Sequence, residues 1–222
     1  MRLDMHTHSR FSPDSRLDPR DIVRKARELG LDGVAVTDHN AVDGARSATE
    51  YARGFKGFVV IRATEVSTAE GHVLGYGVTE VIPRELTPQE TIEAIIAQGG
   101  VAVAAHPYRF WSGLGEEATL RAEFPTYEVQ NARTSRRGNI RASELAVRGG
   151  KGRTGGSDGH FLDEIGGAVT VFEDRLEREE DFLQVLAGRN TGADGHDRGP
   201  MGTLRYVPKS VGEWIMRGFR RI

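Results

Sequence analysis

Two histidines one residue apart, His6 and His8, close the short apolar segment at the start of the chain. Side chains two positions apart in a β-strand point to the same face, so both imidazoles would project from the end of a first strand. Asp158 and His160 repeat this spacing and place a carboxylate beside an imidazole. Either pair alone is also compatible with ordinary polar residues, but together they suit the binding of a divalent metal ion.

Five of the seven histidines share a position relative to the predicted strands. They lie at or just past a strand end, and a sixth, His72, lies where the chain turns, shortly after Glu65. In parallel barrels the C-terminal ends of the strands meet at one mouth, where active sites form. Six histidines exceed the needs of one ion. With three carboxylates they form nine candidate ligands: His6, His8, Asp14, His39, Glu65, His72, His106, Asp158 and His160.

Some of these residues have plausible structural alternatives. Glu65 can pair with an arginine, and His72 can be a hydrogen-bonded strand residue. Asp14 follows Pro13 and can form an Asx turn. Asp4 and Asp38 neighbour candidate ligands, and we expect them to support those ligands.

The composition restricts both the metal and the class of protein. The chain has no cysteine, which excludes disulfides and thiol nucleophiles and leaves oxygen and nitrogen ligands suited to Zn²⁺, Mn²⁺ or Fe²⁺. A net charge of −2 argues against a strongly cationic nucleic-acid binder. The 222 residues suffice for one α/β barrel. Without a long apolar stretch or a signal peptide, we expect a cytoplasmic protein with no membrane contact.

Strand and helix signals alternate along the chain, which favours an α/β fold of successive βα units. Asp18 before Pro19, and Thr87 before Pro88 with Glu90, are typical helix starts. The predicted strands cover residues 2–7, 33–37, 58–62, 72–78, 101–105, 126–130 and 168–172. Helices are predicted near 19–29, 42–53, 88–98, 139–148 and 176–186. We assign residues 1–190 to the barrel, and 191–222 to a Gly-rich loop and an amphipathic C-terminal helix packed on it.

The motifs also occur in a recognisable order. H-x-H follows the first strand, T-D-H the second and E-V-S the third, and A-H-P and G-S-D-G-H come later. Over residues 1 to about 171 this series resembles the PHP (polymerase and histidinol phosphatase) family. The resemblance implies a distorted (β/α)₇ TIM-like barrel with a trinuclear metal centre that hydrolyses phosphate esters.

The resemblance also implies how the ligands are shared. One metal would take His6, His8, Glu65 and Asp158; a second Glu65, His72 and His106; a third Asp14, His39 and His160. Two or three divalent ions (Mn, Fe or Zn) are therefore expected, with Glu65, Asp158 and His160 as catalytic residues. Paired ions can activate a bridging hydroxide and hold the attacking and leaving oxygens.

The substrate would need positive charge beyond the metals. Arg109, Arg133 and Arg136 fall in loops at the predicted mouth, and guanidinium groups match phosphate geometry. Asn131 ends the sixth predicted strand and completes the predicted substrate-binding set. Only 33 residues separate His72 from His106, which predicts an open mouth. The expected partner is a small phosphorylated molecule, such as a nucleotide, a short oligonucleotide or a phosphorylated metabolite.

Three other functions stay open at this point. One is a histidinol-phosphatase-like activity, and another is an amidohydrolase-like metallohydrolase that cleaves C–N bonds. The second is disfavoured because none of the four lysines falls at a predicted strand end, where amidohydrolase-like proteins often carry a carboxylated lysine. The third is a non-catalytic module that binds a metal or an anion.

Overall fold

The computed structural model describes residues 1–199, which form nine strands and six helices. The strands are β1 (Arg2–Thr7), β2 (Gly33–Val36), β3 (Val59–Ser67), β4 (His72–Tyr76), β5 (Val101–Ala104), β6 (Thr126–Asn131), β7 (Gly152–Gly156), β8 (Ala168–Phe172) and β9 (Thr191–Gly195). The helices are α1 (Pro19–Glu28), α2 (Asp43–Ala52), α3 (Pro88–Ala97), α4 (Gly115–Arg121), α5 (Arg136–Arg148) and α6 (Glu179–Ala187).

The nine strands form one sheet in the order β7-β6-β5-β4-β3-β2-β1-β8-β9. Strands β1 to β3 run parallel, as do β5 to β7, whereas β4 is antiparallel to both its neighbours. β8 is antiparallel to β1, and β9 is antiparallel to β8. The end of β7 returns to β1, where the Asp158 N–H donates to the His6 carbonyl at 2.7 Å. The predicted α/β barrel is therefore confirmed, as a nearly closed sheet with four antiparallel pairings among the described strands.

The contact between β7 and β1 depends on a glycine. A Cβ atom at Gly156 would lie 2.3 Å from the Cβ of His6 and 2.7 Å from its backbone nitrogen. No larger residue fits there without moving one of the two strands. The need for small residues also explains why β7 lacks the apolar pattern of a typical buried strand.

The two predicted helix starts agree with the structure. The Asp18 side chain accepts a hydrogen bond from the Arg20 N–H, and Thr87 and Glu90 form a reciprocal capping box. The helices pack around a barrel interior filled by apolar side chains such as Leu3 and Ile61. Among residues 1–199, no helix is long and apolar enough to cross a membrane.

The structure corrects several predicted elements. Residues Thr191–Gly195, predicted as part of a Gly-rich loop, are strand β9 and pair with β8 along its whole length. Strand β3 continues through Glu65 to Ser67, because its second half pairs with β4. Helix α4 lies between the predicted strands 101–105 and 126–130, where no helix was predicted. Residues 200–222, with the predicted C-terminal helix, lie outside the described residues, and the domain boundary at 190 stays a prediction.

Candidate metal centre

The structure brings all nine candidate ligands to one end of the barrel. His6 and Glu65 lie on β1 and β3, and others follow the ends of β2, β5 and β7 within a few residues. His72 joins them by a different route, because β4 is antiparallel to β3 and pairs its first residue with Ser67. The hairpin therefore returns His72 to the end of the sheet where Glu65 lies.

The Glu65 carboxylate is at the centre of the cluster and is 1% exposed. Its Oε1 atom lies 2.9 Å from His72 Nδ1 and 2.9 Å from His106 Nε2. Its Oε2 atom lies 3.3 Å from each of three imidazole nitrogens, on His6, His8 and His39. One carboxylate oxygen thus faces each of two groups of histidines, as expected of a ligand that bridges two metal ions.

Asp158 also divides its two oxygens between different partners. Oδ1 lies 3.4 Å from His8 Nε2 and 3.9 Å from His6 Nε2. Oδ2 accepts hydrogen bonds from the Arg109 guanidinium and, at 3.2 Å, from the Asn131 amide. One oxygen is therefore directed towards the histidines, and the other is held by donors.

The third predicted set is less separate than the sequence suggests. Asp14 Oδ2 lies 2.8 Å from His160 Nε2 and 3.6 Å from His39 Nε2. His39 also approaches Glu65 through its Nδ1 atom, and His8 lies within reach of Asp14 and His160. His8 and His39 therefore lie between the predicted sets. Neighbouring metal sites would be separated only by the imidazoles of these two residues.

The chemistry of the cluster fits bound cations. The Nε2 atoms of His6 and His8 lie 3.1 Å apart, and both side chains are fully buried. Two imidazole nitrogens can approach so closely only when a proton or a cation attracts both. The buried Nδ1 atom of His39, which lies 3.3 Å from Glu65 Oε2, has no hydrogen-bond partner among the described residues. Buried polar atoms of this kind are rare, and oxygen and nitrogen donors without sulfur suit Mn²⁺, Fe²⁺ or Zn²⁺.

The electrostatics point the same way. Burial lowers the pKa of His6, but Glu128, Glu65 and Asp158 outweigh it and hold that pKa well above its usual value. Burial likewise lowers the pKa of His8, and hydrogen bonds to Asp158 and Glu65 raise it to about 9. Burial raises the pKa of Asp158, yet Arg109 and His6 hold it well below its usual range. The carboxylates thus draw positive charge into the cluster, either as protons on imidazoles or as metal ions.

Two imidazoles of the cluster are kept neutral. Burial lowers the pKa of His72 to about 4, although Glu65 opposes the shift. Burial and the Arg133 guanidinium lower the pKa of His160 to about 3. A neutral imidazole has a free lone pair, which is the form that binds a metal.

The backbone is unusual at two of the candidate ligands. His106 has a φ of 27° and Asp158 a φ of 54°, in a region that residues other than glycine rarely adopt. Such conformations cost on the order of 1–3 kcal/mol each and are typical of functional sites. Hydrogen bonds from both backbone N–H groups, to Glu128 and to the His6 carbonyl, hold them in place.

Three of the four predicted substrate-binding residues lie at the cluster. Arg109 and Asn131 contact Asp158, and the Arg133 guanidinium lies against His160 and the Asp158 carbonyl. Arg136 is different, because it is the exposed first residue of α5 and contacts no member of the cluster among the described residues. The helix begins three residues earlier than predicted, since Ser135 caps it by accepting from the Gly138 N–H.

Sequence reasoning missed one buried carboxylate of the site, Glu128 on β6, which contacts His6 and the backbone of His106. A signal was present, because Glu128 is an acidic residue inside a strand that is otherwise buried. The supporting carboxylates expected from the sequence also make contacts beside the ligands. Asp4 accepts from the Ser157 N–H at 2.9 Å, and Asp38 accepts from the Ser9 hydroxyl at 2.6 Å.

A sequence model of the PHP domain matches residues 4–184. The chain belongs to the PHP family. The resemblance inferred from the order of the motifs is thereby confirmed. The PHP match includes every candidate ligand of the cluster.

The chain also resembles an uncharacterized relative and two solved structures. Uncharacterized protein MJ1587 of Methanocaldococcus jannaschii is 39% identical over 118 residues, which are 49% of this chain and 68% of that protein. A two-domain protein from Bacteroides vulgatus, containing a predicted PHP-like metal-dependent phosphoesterase, superposes with a TM-score of 0.70 at 20% identity, over 88% of this chain and 65% of that one. Endonuclease Q, in complex with a 27-mer duplex carrying an abasic lesion at the active site, superposes with a TM-score of 0.68 at 18% identity, over 84% and 56%. At these identities the two structures show a shared fold. Metal-dependent phosphoesterases, as the Bacteroides vulgatus structure is described, are hydrolases.

Proposed function

We propose that this PHP protein is a metal-dependent phosphoesterase that hydrolyses a phosphate ester of a nucleotide or a short oligonucleotide. The observation that carries the proposal is the Glu65 carboxylate, which lies between two groups of imidazoles at one mouth of the barrel. Two arginines, Arg109 and Arg133, border the same cluster. A multinuclear metal centre with guanidinium groups beside it suits an anionic, tetrahedral substrate.

Two or three divalent ions (Mn, Fe or Zn) would be held by the nine clustered side chains. When bound, these ions supply Lewis acidity and an activated water nucleophile. Glu65 would hold two ions at once, and Asp158 would ligate through Oδ1 while donors fix Oδ2. His160 would ligate through Nε2, since its Nδ1 atom faces Arg133 and the Asp158 carbonyl.

The arginines would bind the phosphoryl group. The side chains of Arg109 and Arg133 are 13% and 9% exposed, so little water screens their charge. A guanidinium fork can donate two parallel hydrogen bonds to phosphate oxygens. Asn131, whose side-chain amide donates to Asp158, would help to position the substrate at the same edge of the site. These residues neutralise and position the substrate relative to the metal ligands.

The rim of the mouth favours a substrate with a flat ring. Phe110 and Trp111 directly follow Arg109 in the chain and are 86% and 75% exposed, with ring centroids 4.7 Å apart. Their loop is tied to the cluster, because the Ser112 carbonyl accepts from the His72 N–H at 3.1 Å. Exposed aromatic rings stack on nucleobases with about 1–3 kcal/mol per base. The duplex bound by the structurally similar endonuclease Q is also composed of nucleotides.

A substrate panel tests this proposal. Metal-loaded protein would be incubated with nucleoside mono- and bisphosphates, a dinucleotide, histidinol phosphate and an N-acyl amide, and release of phosphate, nucleoside or amine would be measured. We expect phosphate-ester hydrolysis that a chelator abolishes and added Mn²⁺ restores. Faster turnover of histidinol phosphate than of any nucleotide would favour the metabolite alternative. Cleavage of the amide alone would overturn the proposal.

A further inference from the structure

Glu128 is a buried carboxylate outside the nine candidate ligands that contacts the imidazole ring of one of them. It is 1% exposed, and its Oε1 atom lies 2.9 Å from His6 Nδ1. Because a carboxylate only accepts hydrogen bonds, the Nδ1 atom of His6 must carry the proton. The Nε2 atom of a neutral His6 is then left with a lone pair, and it faces Glu65 and His8.

The second oxygen of Glu128 holds a different strand. Oε2 accepts from the backbone N–H of His106 at 2.8 Å and from the Asn131 side-chain amide at 3.1 Å. His106 is one of the two candidate ligands with a positive φ, so this bond helps to hold a strained residue in place. One side chain on β6 therefore contacts a candidate ligand after β5 and another on β1.

We infer that Glu128 is a positioning residue that fixes His6 as an Nε2 metal ligand and anchors the backbone of His106. The inference rests on the proposed metal-dependent function. Its physical basis is that the donor or acceptor bound to one ring nitrogen of a histidine decides which form the other nitrogen takes. No substrate contact is required of Glu128.

The substitution Glu128→Gln separates this role from simple packing. The backbone N–H of His106 can only donate, so the glutamine oxygen must stay on it. The glutamine NH₂ group then faces His6 Nδ1, which has to accept, and the His6 proton moves to Nε2. A protonated Nε2 cannot bind a metal, although the shape of the side chain is unchanged.

The substitution Glu128→Asp gives the opposite combination. It keeps two oxygens that only accept hydrogen bonds but is shorter by one methylene. If Glu128 positions His6 through its charge and acceptors, the affinity for Mn²⁺ or Zn²⁺ falls in the order wild type, Asp, Gln. If Glu128 merely fills space, Gln retains more affinity than Asp, because Gln has the native shape.

The experiment measures metal content after dialysis and metal affinity by titration calorimetry. We expect Glu128→Gln to weaken binding by about 10–100-fold, as for other residues that orient metal-binding histidines. Glu123→Gln makes the same charge change at an exposed position and should bind as the wild type does. Circular dichroism of the metal-free proteins checks that each variant is folded. Wild-type affinity in Glu128→Gln, or better binding by Gln than by Asp, would overturn the inference.

A measurement on the unmodified protein covers the case in which a variant does not fold. In the Zn²⁺-loaded wild type, ¹⁵N NMR of the histidine rings should show His6 protonated at Nδ1 and metal-bound at Nε2. A proton on Nε2 would overturn the inference directly. These readouts do not depend on hydrolysis. A wild type that binds metal in this way but hydrolyses no phosphate ester would therefore contradict the proposed function alone.

Discussion

Strand β3 passes through two contrasting environments on one face of the sheet. Ile61 and Ala63 belong to the apolar barrel interior and are fully buried. Glu65 is two residues further along and equally buried, yet it contacts five imidazoles. The first part of the strand stabilises the fold by burying apolar surface, whereas the second part buries charges that water would otherwise solvate. One layer of the barrel interior therefore stabilises the fold, and the next layer along the same strand holds the candidate metal ligands.

Strand β1 shows the same division with an added irregularity. Leu3 and Met5 lie in the apolar interior, and His6 and His8 follow in the cluster. The register of β1 against β2 shifts between Asp4 and Thr7, where the two environments meet. Irregularities of this kind redirect side chains next to active sites.

Removing the charge of Glu65 should produce the largest effect on activity. We expect Glu65→Gln to lower kcat by more than about 100-fold, because a ligand matters more than the residues that orient ligands. Steady-state hydrolysis at saturating metal measures this, with the circular dichroism spectrum as a check of folding. Retention of more than a tenth of the wild-type kcat would remove Glu65 from the centre of the proposed site.

A substitution in the apolar layer should have the converse effect. Ile61→Ala leaves a cavity in the barrel interior and should lower the free energy of unfolding by about 2–5 kcal/mol. Urea denaturation of the metal-free protein measures this loss. Because Ile61 is four residues from Glu65, the kcat of the folded fraction should stay within about threefold of the wild type, equivalent to about 0.7 kcal/mol. A large loss of kcat at full folding would show that the two layers are not separable.

The arginines at the boundary of the cluster should affect binding more than chemistry. Arg109→Lys keeps the charge but loses the bidentate fork, so we expect KM to rise about tenfold, equivalent to about 1.4 kcal/mol. Arg136→Lys is the matched control, since Arg136 is exposed and outside the cluster. Equal effects of both substitutions on KM would argue against a specific phosphate contact at Arg109.

The smallest predicted effect lies at the rim. Trp111→Ala should raise KM for a nucleotide by about five- to tenfold, or about 1 kcal/mol, through loss of base stacking. KM for a phosphate ester without a ring should not change, because Trp111 is 75% exposed and makes no phosphate contact in the proposal. Kinetics with the two substrates in parallel distinguish stacking from a general disturbance of the loop.

The sequence was sufficient to predict the residues that meet in the cluster, because histidines at strand ends are a local signal. Glu128 could not be predicted in the same way, since its role depends on how β6, β5 and β1 are aligned in space. β9 escaped prediction because its sequence, Thr-Gly-Ala-Asp-Gly, has little strand preference and β8 supplies the pairing partner. Helix α5 starts earlier than predicted because the Ser135 side chain caps it by accepting from the Gly138 N–H.

The glycine contact between β7 and β1 also has a consequence for biosynthesis. His8 and Asp158 are 150 residues apart in the chain but meet across this contact. At a translation rate of about 5–20 residues per second, Asp158 is synthesised roughly 8–30 s after His8. During that interval the N-terminal histidines lack the Asp158 carboxylate that follows β7. A metal ion bound by these histidines would therefore have an incomplete set of ligands. Metal acquisition is therefore expected to follow completion of the chain, when the last strands meet the first.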